Sequence, residues 1–449
     1  MIKRLVLLIV ATLILFGFWK VGSYYSQNRL YFHYLLDAYW EGRKSVVEDG
    51  YTDRTSYLPG EEQQVYVNAT SRRNSLLRLY DINGAVVDSV QVLVQPQEAG
   101  PNPSEEGYGY KATFTYRLPD LPSGIYLWEK KIPFTLKAEN AEVVVVYSSN
   151  TVNAYNISGG KSLYKLFSEK THVVSFQRPM LPAVSFFAED GLKWLKSTSY
   201  NINYINDQDL DIPGILAGAK VVLIIGHSEY WSRRGRRQLD EFIDKGGHCM
   251  ILSGNTMWWQ VRYSTDGTKL ICYKEKPDPI AADSLKSTFW NNPVLHYPLT
   301  PSIGADFSRA GYGRKSCKGF GGYKILKPDS PVFQGLLLKE GDVLQVSTKE
   351  YDGAPLKGQE PDLRLDKAAL GFYKAELLGY DRAVDAQEGF ATFILFQKTP
   401  ASGVVLNTAT TDWCGAHGIG GPDSLAIRKI TSNVLEAMLS NKNLFTEAP

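Results

Sequence analysis

The sequence predicts a doubly wound α/β domain behind an all-β, immunoglobulin-like sandwich, and three observations carry that expectation. From residue 143 onward, short apolar runs alternate with helical periods, as parallel strands joined by crossover helices do. Between residues 51 and 148 the runs are instead β-branched and aromatic, separated by turn residues. Polar and ionisable residues gather directly behind the apolar runs, where an open α/β sheet presents its ligand edge.

In chain order, residues 1–22 open with Lys3-Arg4 and an unbroken apolar run over 5–19, closed by Lys20. Such a segment is a signal anchor or a cleaved signal peptide, and either form exports the body of the chain. The anchor form tethers it to the inner membrane with the body outside the cytoplasm. Residues 23–50, rich in tyrosine and charge, read as a stalk or short helix. The sandwich spans 51–148: Gln64-Val65-Tyr66-Val67, Leu76 to Tyr80 and Ala112 to Tyr116 supply strands, and Asn83-Gly84 marks a tight turn.

The α/β domain spans 149–441, with a tail over 442–449. The runs Val143 to Tyr147, Val173 to Phe176, Tyr200 to Ile205, Val221 to Ile225 and Cys249 to Leu252 are its expected strands. Ser232 caps a helix striped by Leu239, Phe242 and Ile243 and stopped by Gly246-Gly247. A last helix starts at Ser424 and places Ile427, Ile430, Val434, Leu435 and Met438 on one face. Residues 263–390 are irregular and read as loops and added strands over the ligand edge.

Composition narrows the function. The 449 residues are 44% hydrophobic and 21% charged, which excludes disorder and coiled coil and suits two or three domains. A net charge of +2 leaves no electrostatic footprint for nucleic acid, and Arg233-Arg234-Gly235-Arg236-Arg237 reads as the solvated face of a helix start. Cys249, Cys272, Cys317 and Cys414 lack the pairwise spacing of a structural zinc site and read as small buried hydrophobes; in an exported chain one disulfide, such as Cys272 to Cys317, has room to form. Partners reduce to a small molecule or glycan and the membrane, with an oligomer left open.

The chemistry concentrates in three stretches. Gly226-His227-Ser228-Glu229-Tyr230-Trp231-Ser232 follows an apolar strand and enters a capped helix; His227 and Glu229 offer bases or ligands, and Tyr230 an oxygen ligand or acid. Asn255, in the stretch behind the next strand, suits orientation of a polar substrate atom, and Trp259 the wall of a pocket. Tyr155 and Asn156 stand in a third stretch whose Gly159-Gly160-Lys161-Ser162 only imitates a phosphate loop, since Tyr155 occupies the first glycine position; no nucleotide is expected. Gly254-Asn255 stands where a nucleophile elbow would need Ser or Cys, which disfavours covalent acyl chemistry.

The run from Asn150-Thr151 to Leu163-Tyr164, then Phe176-Gln177-Arg178-Pro179, Asp207-Gln208-Asp209-Leu210, the His227 to Ser232 turn, Gly254-Asn255 with Trp259-Gln260-Val261-Arg262, and Lys349-Glu350-Tyr351-Asp352-Gly353 resemble the large subunit of N,N-dimethylformamidase and its relatives. The likeness covers roughly residues 140–440. It implies a glutamine-amidotransferase-like (flavodoxin-like) α/β fold and hydrolysis of a small amide at one iron held by two tyrosines and a glutamate. Tyr230 carries over as a ligand; Tyr155 and Tyr204 are the candidates for the second tyrosine. The glutamate implied by the family lies shortly before a tryptophan, but around Trp290 this chain has none, and Asp283 is the substitute on offer. The alternative function is a non-catalytic envelope protein that binds a glycan or protein partner.

Overall fold

The computed structural model describes residues 12, 14–19, 22, 45–164, 168–313, 319–346, 348–384 and 388–446. Met1–Ser45 and Val46–Pro449 form two compact units. In the first, residues 14–19 are helical, and among the described residues no helix is long and apolar enough to cross a membrane. The expected anchor is corrected accordingly. Its apolar run of 15 residues would rise only about 22 Å as a helix, short of a hydrocarbon core of about 30 Å. The rest of residues 1–22, and the expected stalk up to residue 44, lie outside the described residues.

The second unit begins with eight strands in two facing sheets. One sheet orders Val47–Thr52, Glu62–Ala69 and Phe114–Arg117; the other orders Ser56–Tyr57, Ile132–Leu136, Gly124–Trp128, Arg73–Asp81 and Val86–Val94. Inward-facing Val65, Val67, Leu77, Leu79, Trp128 and Phe134 close the core between them, since alternate residues of a strand share a face. Trp128 is fully buried and its indole N–H donates to Gln63 Oε1 at 2.9 Å. The sandwich meets the next sheet through a polar seam: Thr135 Oγ1 donates to Asn206 Oδ1 at 2.7 Å and Lys137 pairs with Asp209 at 2.8 Å.

An 11-stranded sheet dominates the remainder. Its path runs Ile202–Asn206, Val143–Tyr147, Val221–Gly226, His248–Ser253, Val404–Asn407, Glu388–Gln397, Lys374–Val384, Asp306–Tyr312 and Glu350–Gly353. The first five strands pair in parallel and the others antiparallel. This corrects the expectation of a doubly wound, flavodoxin-like domain: among the described residues strand outweighs helix, 34% against 20%. The crossover from Asn206 to Val221 carries the 3₁₀ turn Asp207–Asp211, and the excursion from Ser253 to Val404 supplies the long antiparallel strands, with only the four-residue α-helices Thr300–Ile303 and Lys367–Leu370 among its described residues. Glu189–Lys196 and Ser424–Leu439 cover one face of the sheet, and Arg233–Asp244 the other. A four-stranded sheet of Val173–Ser175, Lys269–Ile271, Trp259–Tyr263 and Tyr230–Ser232 completes the unit, so Trp259 sits on a strand rather than in a loop.

Two smaller expectations change. Arg236 is not solvated: it is fully buried, its guanidinium 3.8 Å from the Tyr297 ring centroid and 4.5 Å from that of Trp290. Cys249, Cys272 and Cys414 are buried free thiols, so Cys272 is not in a disulfide; Cys317 lies outside the described residues.

Candidate functional site

Three neighbouring parallel strands deliver their following residues to one edge of the large sheet. Val143–Tyr147 leads into the Ser149–Tyr155 helix, Val221–Gly226 into residues 227–229, and His248–Ser253 into Gly254-Asn255. Gly226 turns the chain at φ 78°, a conformation glycine adopts without a Cβ clash. A Cβ on Gly254 would lie 2.8 Å from the Glu350 carbonyl oxygen and 2.5 Å from the Thr411 nitrogen. Only a bare backbone there lets the strand beginning at Glu350 approach the edge.

Glu229 is the centre of the site. Its carboxylate accepts hydrogen bonds from Tyr164 Oη at 2.7 Å, Tyr155 Oη at 3.0 Å and Trp259 Nε1 at 2.8 Å. His227 Nε2 lies 3.3 Å from Glu229 Oε2 and 3.4 Å from Glu350 Oε2, while its Nδ1 faces the Gly254 carbonyl at 3.2 Å. Asn255 Nδ2 donates to Glu350 Oε2 at 3.1 Å. Asn255 holds φ 47°, a strained value for a side-chain-bearing residue. The Tyr155 and Tyr164 rings stack with centroids 4.1 Å apart, and Lys274 Nζ stands 3.3 Å from the Tyr164 centroid. His227 and Glu229 are 5% and 2% exposed, whereas Tyr155, Tyr164 and Glu350 are half-buried and form the open side.

The charges are mutually dependent. Burial alone would push the His227 imidazolium down, but the Glu350 and Glu229 carboxylates outweigh it and hold the pKa at about 9. Burial would likewise raise Glu229, yet His227, Lys274 and the Tyr164 hydroxyl keep it below the usual carboxylate range. Glu350 goes the other way: burial, with the Glu229 charge, raises it. Burial lowers Lys274 to about 8 against the pull of Glu229. Burial and the Glu229 charge also hold Tyr155, Tyr164 and Tyr230 well above their usual value, so these phenols release a proton only to a strong cation.

The structure therefore brings His227, Glu229, Tyr155, Asn255 and Trp259 together. Tyr230 is fully buried one bond behind them: its hydroxyl donates to Tyr164 Oη at 2.7 Å, and of these two phenols it is Tyr164 that reaches the carboxylate. Asn156 does not join: its Nδ2 donates to the Pro179 carbonyl at 2.8 Å and its Oδ1 accepts from the Ser158 amide. Tyr204 lines a separate cavity of about 830 Å³ beside the sandwich, with Leu58, Lys137 and Lys196. Asp283 pairs with Lys286 at 2.6 Å on the exposed surface. Sequence reasoning missed Tyr164, Lys274 and Glu350 as site residues. Tyr164 closes the same stretch as Tyr155, and Glu350 belongs to the Lys349-Glu350-Tyr351-Asp352-Gly353 match, so both signals stood in motifs already singled out.

Among the described residues, no group of three or more His, Cys, Asp or Glu is arranged to hold a metal ion. Two phenols and one carboxylate form a different donor set, and Tyr155, Tyr164 and Glu229 present it within hydrogen-bonding distance. Their hard oxygens suit ferric iron by chemistry. Glu229, two residues after His227, is the carboxylate that both phenols share.

No curated protein matches the chain. Among solved structures, a β-galactosidase from Bacillus circulans sp. alkalophilus aligns at 11% identity and TM-score 0.35, over 70% of this chain and 33% of that one. A cycloisomaltooligosaccharide glucanotransferase from Paenibacillus sp. aligns at 12% identity and TM-score 0.14, over 51% and 34%. This chain spans about a third of each enzyme's length, and likeness this low carries no argument. The family described as N,N-dimethylformamidase beta subunit-like, C-terminal, matches residues 85–422. That match takes in most of the chain and every residue of the cluster around Glu229, and the chain belongs to this family.

Proposed function

We propose that the protein hydrolyses an amide or related carbon–nitrogen bond of a small substrate at the Glu229 cluster. The observation that supports this most is His227 Nε2, set between Glu229 Oε2 and Glu350 Oε2 beside two phenols on the same carboxylate. In this reading Tyr155, Tyr164 and Glu229 hold an iron ion, which supplies Lewis acidity when bound. The residues around it handle protons and position. His227 Nε2 would deliver a proton to the departing amine nitrogen, and Glu350, with its raised affinity for protons, would take up the proton that the attacking water releases and return it to His227. Asn255 fixes Glu350 through its amide, and the Gly254 carbonyl fixes the ring through Nδ1. Lys274 places a positive charge beside the phenols where negative charge gathers. A compact substrate would enter past Tyr155, Tyr164 and Glu350, the more exposed members of the cluster.

The basic residues Lys3-Arg4 ahead of an apolar run support a location outside the cytoplasm. The functional test uses full-length protein supplied with ferric iron. It should take up one iron, show a visible tyrosinate-to-iron absorption band that Tyr164→Phe loses, and hydrolyse N,N-dimethylformamide or a similar small amide. Colourless wild-type protein without stoichiometric iron and without amidase activity would overturn the proposal and favour a binding protein of the envelope.

A further inference from the structure

We infer that Asn150 and Thr151 are positioning residues that set the separation of Tyr155 from Glu229, an inference that rests on the iron-binding reading of that pair. The two residues open the helix that ends with Tyr155. Thr151 is 4% exposed, and its Oγ1 accepts the Glu229 amide N–H at 2.9 Å. Asn150 is fully buried, and its Nδ2 donates to the Tyr230 carbonyl at 3.0 Å and to Tyr263 Oη at 2.8 Å. The Glu229-Tyr230 dipeptide is thereby gripped at both ends by two consecutive residues. Tyr155 lies four residues beyond Thr151, about one helical turn or 6 Å along the axis. One short helix thus carries a phenol donor at its end and holds the backbone of the carboxylate donor at its start, so the 3.0 Å between Tyr155 Oη and Glu229 Oε2 follows from a rigid local frame.

The frame is itself anchored. The Asn150 amide N–H donates to Asp207 Oδ2 at 2.8 Å, and Asp207 immediately follows the edge strand Ile202–Asn206. This gives Asn150-Thr151 and Asp207, each in a stretch shared with the family, a role that a generic buried turn would not require. Outer hydrogen bonds of this kind orient donors toward a metal, and losing one costs metal affinity about 10–100-fold.

Thr151→Val keeps the side-chain shape and removes the acceptor; Thr151→Ser keeps the hydroxyl. Iron titrations of full-length protein should show affinity at least tenfold weaker in Thr151→Val, with a displaced visible band, and Thr151→Ser within about threefold of wild type. The two variants should melt within a few degrees of each other, which separates positioning from bulk stability. Wild-type affinity and band in Thr151→Val would overturn the inference while leaving the iron reading intact. Wild-type protein that takes up no iron would overturn the iron reading. Hydrogen exchange without added metal then decides the clamp: faster exchange over residues 227–232 in Thr151→Val than in Thr151→Ser supports it, and equal exchange overturns it. Should Thr151→Val fail to fold, Thr151→Ala serves in the same comparison.

Discussion

The sandwich and the carboxyl edge of the large sheet both bury large side chains, on different terms. In the sandwich, Trp128 lies among Val65, Leu77 and Leu79, and its one polar atom is met by the neutral amide of Gln63. At the sheet edge, Glu229, His227 and Lys274 are buried as ionisable groups, each stable only because the others are present. Apolar burial contributes to stability at each position almost independently, about 25 cal/mol per Å² removed from water. A buried charge cluster contributes little net stability and makes every member dependent on its partners. Removing one residue therefore weakens the fold in the first region and, in the second, leaves its partners as uncompensated buried groups.

Glu229→Gln should produce the largest effect. It removes the carboxylate that gathers both phenols, and iron uptake and hydrolysis should both vanish, as metal analysis and an amidase assay would read. Substantial retained activity would show that the cluster is only structural. Trp128→Ala should act in the opposite sense, destabilising the fold by about 3–5 kcal/mol in denaturant unfolding. Iron affinity of its folded fraction should stay close to wild type. A large loss of affinity would mean that the two regions are coupled through the Thr135 and Lys137 seam.

Glu350→Gln should lower kcat/KM about a hundredfold with little change in melting temperature, since the amide cannot take up the proton that the attacking water releases. Unchanged kcat/KM would remove Glu350 from the reaction. The pH-dependent effect concerns Asp207, whose pKa burial raises to about 8. A carboxyl held above its unfolded pKa of about 4 stabilises the fold below that pH and loses the contribution as pH rises through about 8. Asp207→Asn should therefore gain stability relative to wild type between about pH 4 and pH 8. Thermal melts that keep a constant difference across that range would show that Asp207 does not titrate there.

The local elements were legible because their cause is local. Val143–Tyr147, Val221–Gly226 and His248–Ser253 are apolar runs that only buried strands accommodate, and Ser232 caps the following helix by accepting the Gly235 amide. The His227 to Tyr230 turn could be singled out because ionisable residues directly behind a buried strand have one exposed edge to reach. The class of the fold was not legible. Nothing in residues 263–390 separates loops from long antiparallel strands, because Lys374–Val384 and Glu388–Gln397 take their pairing from each other and not from their own pattern.

By itself, then, the sequence determined which segments bury themselves and which polar residues stand behind them, because hydrophobic periodicity acts through neighbours in the chain. Only the tertiary structure decided that Tyr155, Tyr164 and Trp259 converge on the Glu229 carboxylate. It also decided that Tyr164 stands between it and Tyr230, and that Glu350 comes within 3.4 Å of His227 across 123 positions of chain. Those contacts depend on sheet order and on the close approach at Gly254. A distance between residues so far apart in sequence is set by how the whole sheet packs, which no local pattern encodes.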